Sequence, residues 1–235
     1  MLKKSCIKRC HPKRKTKKNG GMHENDQCPQ FFPFPTFQGM IICKKKWENM
    51  KVDSSIRYQV HDGVYPPAED TYFLIKCIHV KKEKSLDMGT GTGLIALHMA
   101  RQGAQVTAVD KLPQAVINAQ ENGQINDIKI QVMQSDLFSQ ITECFDVITF
   151  NPPYLPPNEP RDVSWDGGQG GIEVTERFLI QAQDHLNKKG RIYLVLSTLS
   201  DSNSLINRYS DQYHFYLIDV LPLFFEQLQV FEITH

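Results

Sequence analysis

Ser85-Leu86-Asp87-Met88-Gly89-Thr90-Gly91-Thr92-Gly93 is the stretch that decides the fold. A short strand, Ser85–Met88, runs into three glycines at alternate positions. Leu94–Gln102 then carries the apolar spacing of a helix, closed by Gly103 in the usual cap position. Strand, glycine loop and helix in that order open a βαβ unit whose loop backbone can approach a ligand closely. Working outward, Gln105–Val109 is a second strand ending at Asp110, and Pro113 opens a helix that runs to about Asn122-Gly123. Ile128–Met133, near Ser135-Asp136, is a third strand and Phe145–Phe150 a fourth. Val174–Leu186 reads as an amphipathic helix closed near Gly190, and Arg191–Ser197 as a fifth strand. A weaker helix at Ser204–Tyr209 leads to a closing antiparallel pair, Tyr213–Val220 and Gln229–Thr234. Upstream, Ala68–Val80 is a helix with Phe73, Leu74, Cys77 and Ile78 on one face. This alternation predicts an α/β fold: seven strands, mostly parallel, with an antiparallel C-terminal hairpin and helices on both faces.

Ligands of such sheets bind at the carboxyl ends of the strands. Asp87, Asp110, Asp136 and Asn151 all fall at such ends, on consecutive strands. The third glycine of the loop, Gly93, arrives one residue earlier than in the dinucleotide fingerprint Gly-x-Gly-x-x-Gly. The acid before the loop, Asp87, would repel a pyrophosphate but would hold a sulfonium and an ammonium group. Asp110, 23 residues after Asp87, can accept both hydroxyls of a ribose, and Asp136 can receive an adenine amino group. Together with Gly89 and Gly91 the set points to S-adenosylmethionine rather than NAD. Each acid alone has a blander reading, since Asp is common in turns at strand ends. Three acids in register with a glycine loop outweigh it.

The fourth strand runs directly into Asn151-Pro152-Pro153-Tyr154. The Asn151 side-chain oxygen can accept a hydrogen bond from a planar –NH₂ group, the Pro152 carbonyl can accept a second, and Tyr154 offers a flat face for stacking. A Pro-Pro segment after a strand also reads as a plain extended exit loop. Beside a cofactor loop, the tetrad reads as an acceptor site for methyl transfer to nitrogen. An amide nitrogen is a poor nucleophile because its lone pair is delocalised into the carbonyl, so the site has to position it rather than activate it with a His or Cys. Asn151, Pro152 and Tyr154 are therefore the candidate catalytic residues, and Asn151, Pro152, Pro153 and Tyr154 the candidate substrate contacts.

The 235-residue chain is 40% apolar and 23% charged, with a net charge of only +1. That balance hides an asymmetry. Nine of the 27 Lys and Arg residues lie in residues 1–20, where there is no acid, which leaves 18 basic against all 26 acidic residues, a net of −8, for the rest. An acidic body is a poor start for binding a nucleic acid, whose affinity comes largely from neutralised phosphates. It suits a basic protein partner better. No apolar run approaches the ~20 residues that span a bilayer, and no apolar signal core opens the chain. Six scattered cysteines read as reduced thiols of a cytoplasmic protein. Residues 1–49 read as a basic, proline-broken, disordered leader, and residues 50–235 as the folded domain. Pro12-Lys13-Arg14-Lys15-Thr16-Lys17-Lys18 has the look of a nuclear-import tag, and Met40 or Met50 could be the true start. Cys6, Cys10, His11 and Cys28 could in principle bind zinc, but they lack a paired Cys-x-x-Cys spacing.

Asp-x-Gly-x-Gly-x-Gly, the strand-end acids and Asn-Pro-Pro-Tyr resemble the class I S-adenosylmethionine-dependent methyltransferases, whose fold is Rossmann-like. Two further segments are similar to the archaeal and eukaryotic HemK branch. They are Tyr65-Pro66-Pro67-Ala68-Glu69-Asp70-Thr71 and Trp165-Asp166-Gly167-Gly168-Gln169-Gly170-Gly171. Pro66 stands where that branch often has Glu. The resemblance covers residues 50–235. It implies methylation of the glutamine in the Gly-Gly-Gln motif of a class 1 peptide-chain release factor, and a small zinc-binding activator protein as a possible heterodimer partner. It also implies cofactor contacts at Thr71, Asp87, Gly89, Asp110, Asp136 and Asn151. The tetrad is shared with enzymes that methylate amino groups of RNA or DNA bases, and methylation of a protein lysine is a further alternative. A third class, a non-catalytic binder of the cofactor, fits poorly with an intact Asn151 and Tyr154. The chain's own Gly167-Gly168-Gln169 reads as the local form of the Trp-x-Gly-Gly loop rather than as a self-methylation site.

Overall fold

Runs of β-branched and aromatic residues bounded by turn residues become strands, and the 3.6-periodic runs between them become helices. The computed structural model describes residues 52–153 and 172–235, together with the backbone of Ile41–Ile42, all within one unit spanning Phe37–His235. The leader's possible zinc ligands and import tag, Tyr154, and the Trp165–Gly171 loop lie outside the described residues. In chain order the elements are β1 (Ile41–Ile42), α1 (Glu69–Cys77), β2 (Lys84–Met88), α2 (Leu94–Arg101), β3 (Gln105–Asp110), α3 (Pro113–Ile125), β4 (Gln131–Gln134) and β5 (Phe145–Phe150). They continue with α4 (Glu173–Ala182), β6 (Leu186–Ser197), α5 (Ser202–Tyr209), β7 (His214–Pro222) and β8 (Gln227–Thr234).

The strands make one sheet in the order β1-β7-β8-β6-β5-β2-β3-β4. β2 pairs in parallel with β3 and β5, β3 with β4, and β5 with β6. β8 inserts antiparallel between β6 and β7, which makes the C-terminal hairpin. The expected seven strands are β2–β8, and the two-residue β1 adds a parallel edge through Ile41 opposite Tyr216 and Ile42 opposite Leu217.

Both faces are covered, and β6 shows how the side chains are shared. Ile192, Leu194 and Leu196 enter the core beneath α4 and α5, with Phe178, Leu179 and Leu205. Tyr193 and Val195, between them, enter the opposite core with Phe73 and Leu74 of α1 and Leu94 and Leu97 of α2. That is the period-2 alternation of a strand buried on both sides.

Several boundaries differ from the sequence reading; β4, for one, begins at Gln131 rather than Ile128. α1 stops at Cys77 rather than Val80, because Ile78 turns extended at ψ 135°. α4 stops at Ala182, after which the N–H groups of Asp184 and His185 bond to Gln181 and Ala182 in a turn. Leu186, read as the last helical residue, instead pairs with Phe145 in the sheet, and the register then shifts so that Val147 faces Arg191. Gly190 is not a helix cap but the tight point of that irregularity. A Cβ there would lie 2.7 Å from Leu186 Cδ1 and 2.9 Å from the Asn187 carbonyl oxygen. Among the described residues, no helix is long and apolar enough to cross a membrane.

Candidate active site

The sheet register lines up three candidate residues. Met88 sits opposite both Val109 and Phe150 on its two neighbours. The next residue on each chain is Gly89, Asp110 and Asn151, so these three form one row at the carboxyl edge. Neighbouring strands lie about 4.8 Å apart. The glycine loop and the acceptor asparagine are therefore adjacent by construction of the sheet. Asp136 sits two residues beyond Gln134, the partner of Asp110, and so lies further out.

On the loop side the backbone is left-handed at Gly89, Gly91 and Gly93, with φ of 64°, 54° and 82°. Residues with a Cβ avoid that region, so the alternating glycines are a backbone requirement. Gly93 is doubly constrained, because a Cβ there would lie 2.9 Å from Ala119 Cβ and separate α2 from α3. Asp87 is buried and accepts hydrogen bonds from Thr90 Oγ1 and Thr149 Oγ1, each at 2.7 Å. Asp110 accepts from the N–H of Gly91 at 2.9 Å and of Leu112 at 2.9 Å, which ties the loop to β3. Burial pushes the Asp87 carboxyl up to about 6 against the pull of its threonine bonds, and pushes Asp110 upward as well. Two carboxylates held so near each other in a desolvated edge leave the site short of positive charge. A ligand carrying a cationic centre fits that deficit, whereas a pyrophosphate does not.

Asp136 is different. Its side chain is 44% exposed and faces Arg177 at 3.4 Å and Lys111 at 3.9 Å. Pairs of this kind are worth little in water and leave the carboxylate open to exchange partners.

On the acceptor side, Asn151 Nδ2 donates to Asp70 Oδ2 at 3.0 Å. Asn151 Oδ1 is buried and has no hydrogen-bond partner among the described residues. Asp70 is itself buried and accepts from the Tyr65 hydroxyl (3.1 and 3.0 Å to its two oxygens), from the Thr71 N–H (2.6 Å) and from Thr71 Oγ1 (3.2 Å). A buried acceptor without a donor costs about 1–3 kcal/mol, so this oxygen is open to an N–H donor. Pro152 is buried beside it and Pro153 half-buried.

An asparagine ladder that sequence reasoning missed holds the chain leading into Tyr65 and Asp70. Asn118, Asn122 and Asn126 follow one another at four-residue intervals on and just beyond α3. Asn118 Oδ1 accepts the His61 N–H, Asn122 Oδ1 the Gln59 N–H and Asn126 Oδ1 the Arg57 N–H. Their amide groups donate back to the Gln59 and Arg57 carbonyls, and Asn122 also donates to Thr92 in the glycine loop. The match is geometric: four helical residues rise about 6 Å, and two extended residues advance about 6.6 Å. The signal was present as asparagines at helical spacing, but their partner is an aperiodic segment some 60 residues away, which no local pattern identifies. Asp70 and Thr149 were missed for a similar reason, since their roles exist only across the sheet. Thr71, adjoining Asp70, is buried and near this cluster.

The family model described as methyltransferase small domain matches residues 61–216. A putative protein N5-glutamine methyltransferase of Methanocaldococcus jannaschii is 39% identical over 161 residues, which cover 65% of this chain and 82% of that protein. A release factor glutamine methyltransferase of Lactococcus lactis is 32% identical over 156 residues, covering 59% of this chain and 58% of that protein. Among solved structures, a ribosomal protein L11 methylase of Lactobacillus delbrueckii superposes with a TM-score of 0.59 at 19% identity, over 83% of this chain and 94% of that one.

Proposed function

Since the chain belongs to the methyltransferase small domain family, we propose that it methylates the side-chain amide nitrogen of a glutamine, the one in the Gly-Gly-Gln motif of a class 1 peptide-chain release factor. The observation that carries this reading is the buried Oδ1 of Asn151, without a partner among the described residues and one strand away from the glycine loop. The relatives from Methanocaldococcus jannaschii and Lactococcus lactis are glutamine methyltransferases by name, which supports the same acceptor class.

The cofactor is S-adenosylmethionine, which supplies an electrophilic methyl group on a sulfonium. Gly89, Gly91 and Gly93 shape its loop, Asp87 and Asp110 answer its positive charge and ribose, and Thr71 and Asp136 complete its contacts. Asn151 Oδ1 takes one N–H of the target amide, with Pro152, Pro153 and Tyr154 framing the other side. Holding the nitrogen in line is the main task, and positioning of this kind can supply ~7–11 kcal/mol. Hydrogen bonds that strengthen as positive charge builds on the nitrogen add electrostatic stabilisation. Glycines flanking the target let its backbone approach the proline-fenced cleft without steric conflict.

Peptide mass spectrometry of a release factor incubated with the chain and S-adenosylmethionine tests the assignment. One added methyl is expected on the Gly-Gly-Gln glutamine, and almost none when that glutamine is replaced by asparagine, whose reach is one methylene shorter. A methyl on lysine, on a nucleobase, or on the asparagine substrate at an equal rate would overturn it.

Three further elements belong to this proposal. The setting is the cytoplasm, where termination takes place. The partner is a small zinc-binding activator protein, and turnover of the chain alone against the chain mixed with that activator tests this. The working domain is residues 50–235, with residues 1–49, the two-residue edge strand β1 included, dispensable for turnover. A chain beginning at Met50 should keep its turnover, and precipitation or lost activity would return the leader to the fold.

A further inference from the structure

Asn151 is useful only in one of its two flip states. An asparagine side chain presents an acceptor on one side and two donors on the other, and a half-turn about its last bond exchanges them. With the oxygen toward the cleft it accepts an N–H. With the nitrogen there it would offer a donor to a group that is itself a donor. We infer that Asp70, braced by Tyr65, is the positioning residue that locks Asn151 in the accepting flip state.

The geometry behind this is a one-way set of bonds. Among the described residues, the hydrogen bonds to Asp70 all come from donors: the Tyr65 hydroxyl, the Thr71 N–H and hydroxyl, and Asn151 Nδ2. A carboxylate that accepts throughout can face only the –NH₂ end of Asn151. A flip would set Asn151 Oδ1 against Asp70 Oδ2, now 3.0 Å from Nδ2, and bring two oxygens into contact in a buried site. The oxygen is therefore turned away from Asp70, to a side where it has no partner among the described residues. Tyr65 bridges both oxygens of Asp70 and so fixes the plane of the carboxylate as well as its place. Asp70 reaches Asn151 across 81 residues of sequence, from the first residues of α1 to the end of β5. Its role is thus created by the fold.

This inference rests on the proposed acceptor role of Asn151, and the test separates the two. Asp70→Asn keeps the volume but introduces a second amide, whose own –NH₂ can donate to Asn151 Oδ1 and consume the acceptor. Steady-state methylation of the release factor and the NMR signals of the Asn151 side-chain –NH₂ are measured on wild type and variant. The expected result is a fall in kcat of about ten- to a hundredfold with KM little changed. It is accompanied by a shift and faster solvent exchange of the Asn151 –NH₂ resonances. A wild-type kcat in Asp70→Asn, or unchanged Asn151 resonances, would overturn the role of Asp70 while leaving the proposed activity standing. If wild type itself transfers no methyl to the release factor, the proposed activity fails, and the Asn151 resonances alone decide the role of Asp70. Should Asp70→Asn not fold, Tyr65→Phe is read the same way, since it removes only the bracing hydroxyl. A severalfold lower kcat with shifted Asn151 resonances supports the lock, and no change in either overturns it.

Discussion

At the carboxyl edge of the sheet, the loop side and the acceptor side treat their polar groups in opposite ways. Asp87 has both oxygens engaged by Thr90 and Thr149, and Asp110 has both engaged by backbone N–H groups of Gly91 and Leu112. One strand away, Asn151 has its nitrogen engaged by Asp70 and its oxygen by no partner among the described residues. The loop side uses its hydrogen bonds to fix a backbone shape that glycine alone can adopt, and leaves excess negative charge as the handle for a ligand. The acceptor side leaves one directional acceptor open among the described residues and holds the other end of the same amide on Asp70. Charge tolerates some looseness in position, whereas a hydrogen bond to a reacting nitrogen does not.

If that contrast holds, the largest effect comes from the reserved acceptor. Asn151→Ala should lower turnover by at least about a hundredfold, in the range seen when one preorganised partner of a transition state is removed. The melting temperature should stay close to wild type, because Asp70 keeps its Tyr65 and Thr71 donors. Near-normal turnover in that variant, measured by methyl incorporation, would erase the distinction between the two sides.

Asp110→Ala probes the charged side. Loss of a charge-assisted contact costs about 1.5–3 kcal/mol, so calorimetry should show S-adenosylmethionine binding about ten- to a hundredfold more weakly. Unchanged affinity would remove Asp110 from the site.

Acid should act on the same side. The folded pKa of Asp87 is raised from 3.8 to about 6 by burial. The folded state therefore holds a proton that the unfolded chain has already lost between those values. Stability of the unliganded protein should accordingly decline as pH rises from about 4 to 6, since the unfolded state binds fewer protons there. A bound cation favours the ionised carboxylate, so its affinity should fall about tenfold between pH 7 and pH 5. The Asp87→Asn variant should flatten both profiles, and a pH-independent affinity in wild type would show that Asp87 does not sense the ligand's charge.

Asn122→Ala should leave turnover least affected and should register in stability instead. It strips the partner from the Gln59 N–H, one of two donors from the Gln59 carbonyl and the Asn122 donor from the Thr92 carbonyl, which predicts about 1–3 kcal/mol by denaturant unfolding. A loss of turnover as large as that of Asn151→Ala would make the ladder part of the acceptor side rather than its support.

Strand order apart, the frame of the molecule is legible in local patterns. The glycine spacing, the acids at successive strand ends and the apolar run before Asn151 depend on neighbours within a few residues, and β2, β3, β5 and the helices between them lie where those patterns place them. Boundaries shifted where a tertiary partner outbid a local preference. Leu186 sits at the end of a helical pattern yet pairs with Phe145 and is buried in the core beneath α4 and α5. Gly190 looked like a cap because a glycine after a helix usually is one, while its actual constraint is the Leu186 side chain folded back upon it.

The chain by itself determined that an S-adenosylmethionine-type loop and an Asn-Pro-Pro-Tyr tetrad exist on one alternating α/β framework, because each is a short segment whose chemistry travels with its residues. Only the tertiary structure decided which atom of Asn151 meets Asp70. That choice depends on a carboxylate 81 residues away, on the tyrosine that holds it, and on asparagines of α3 that grip an extended segment by its backbone. Hydrogen bonds between distant groups leave no period in a sequence, since their geometry comes into being only when the sheet brings α1 against the end of β5.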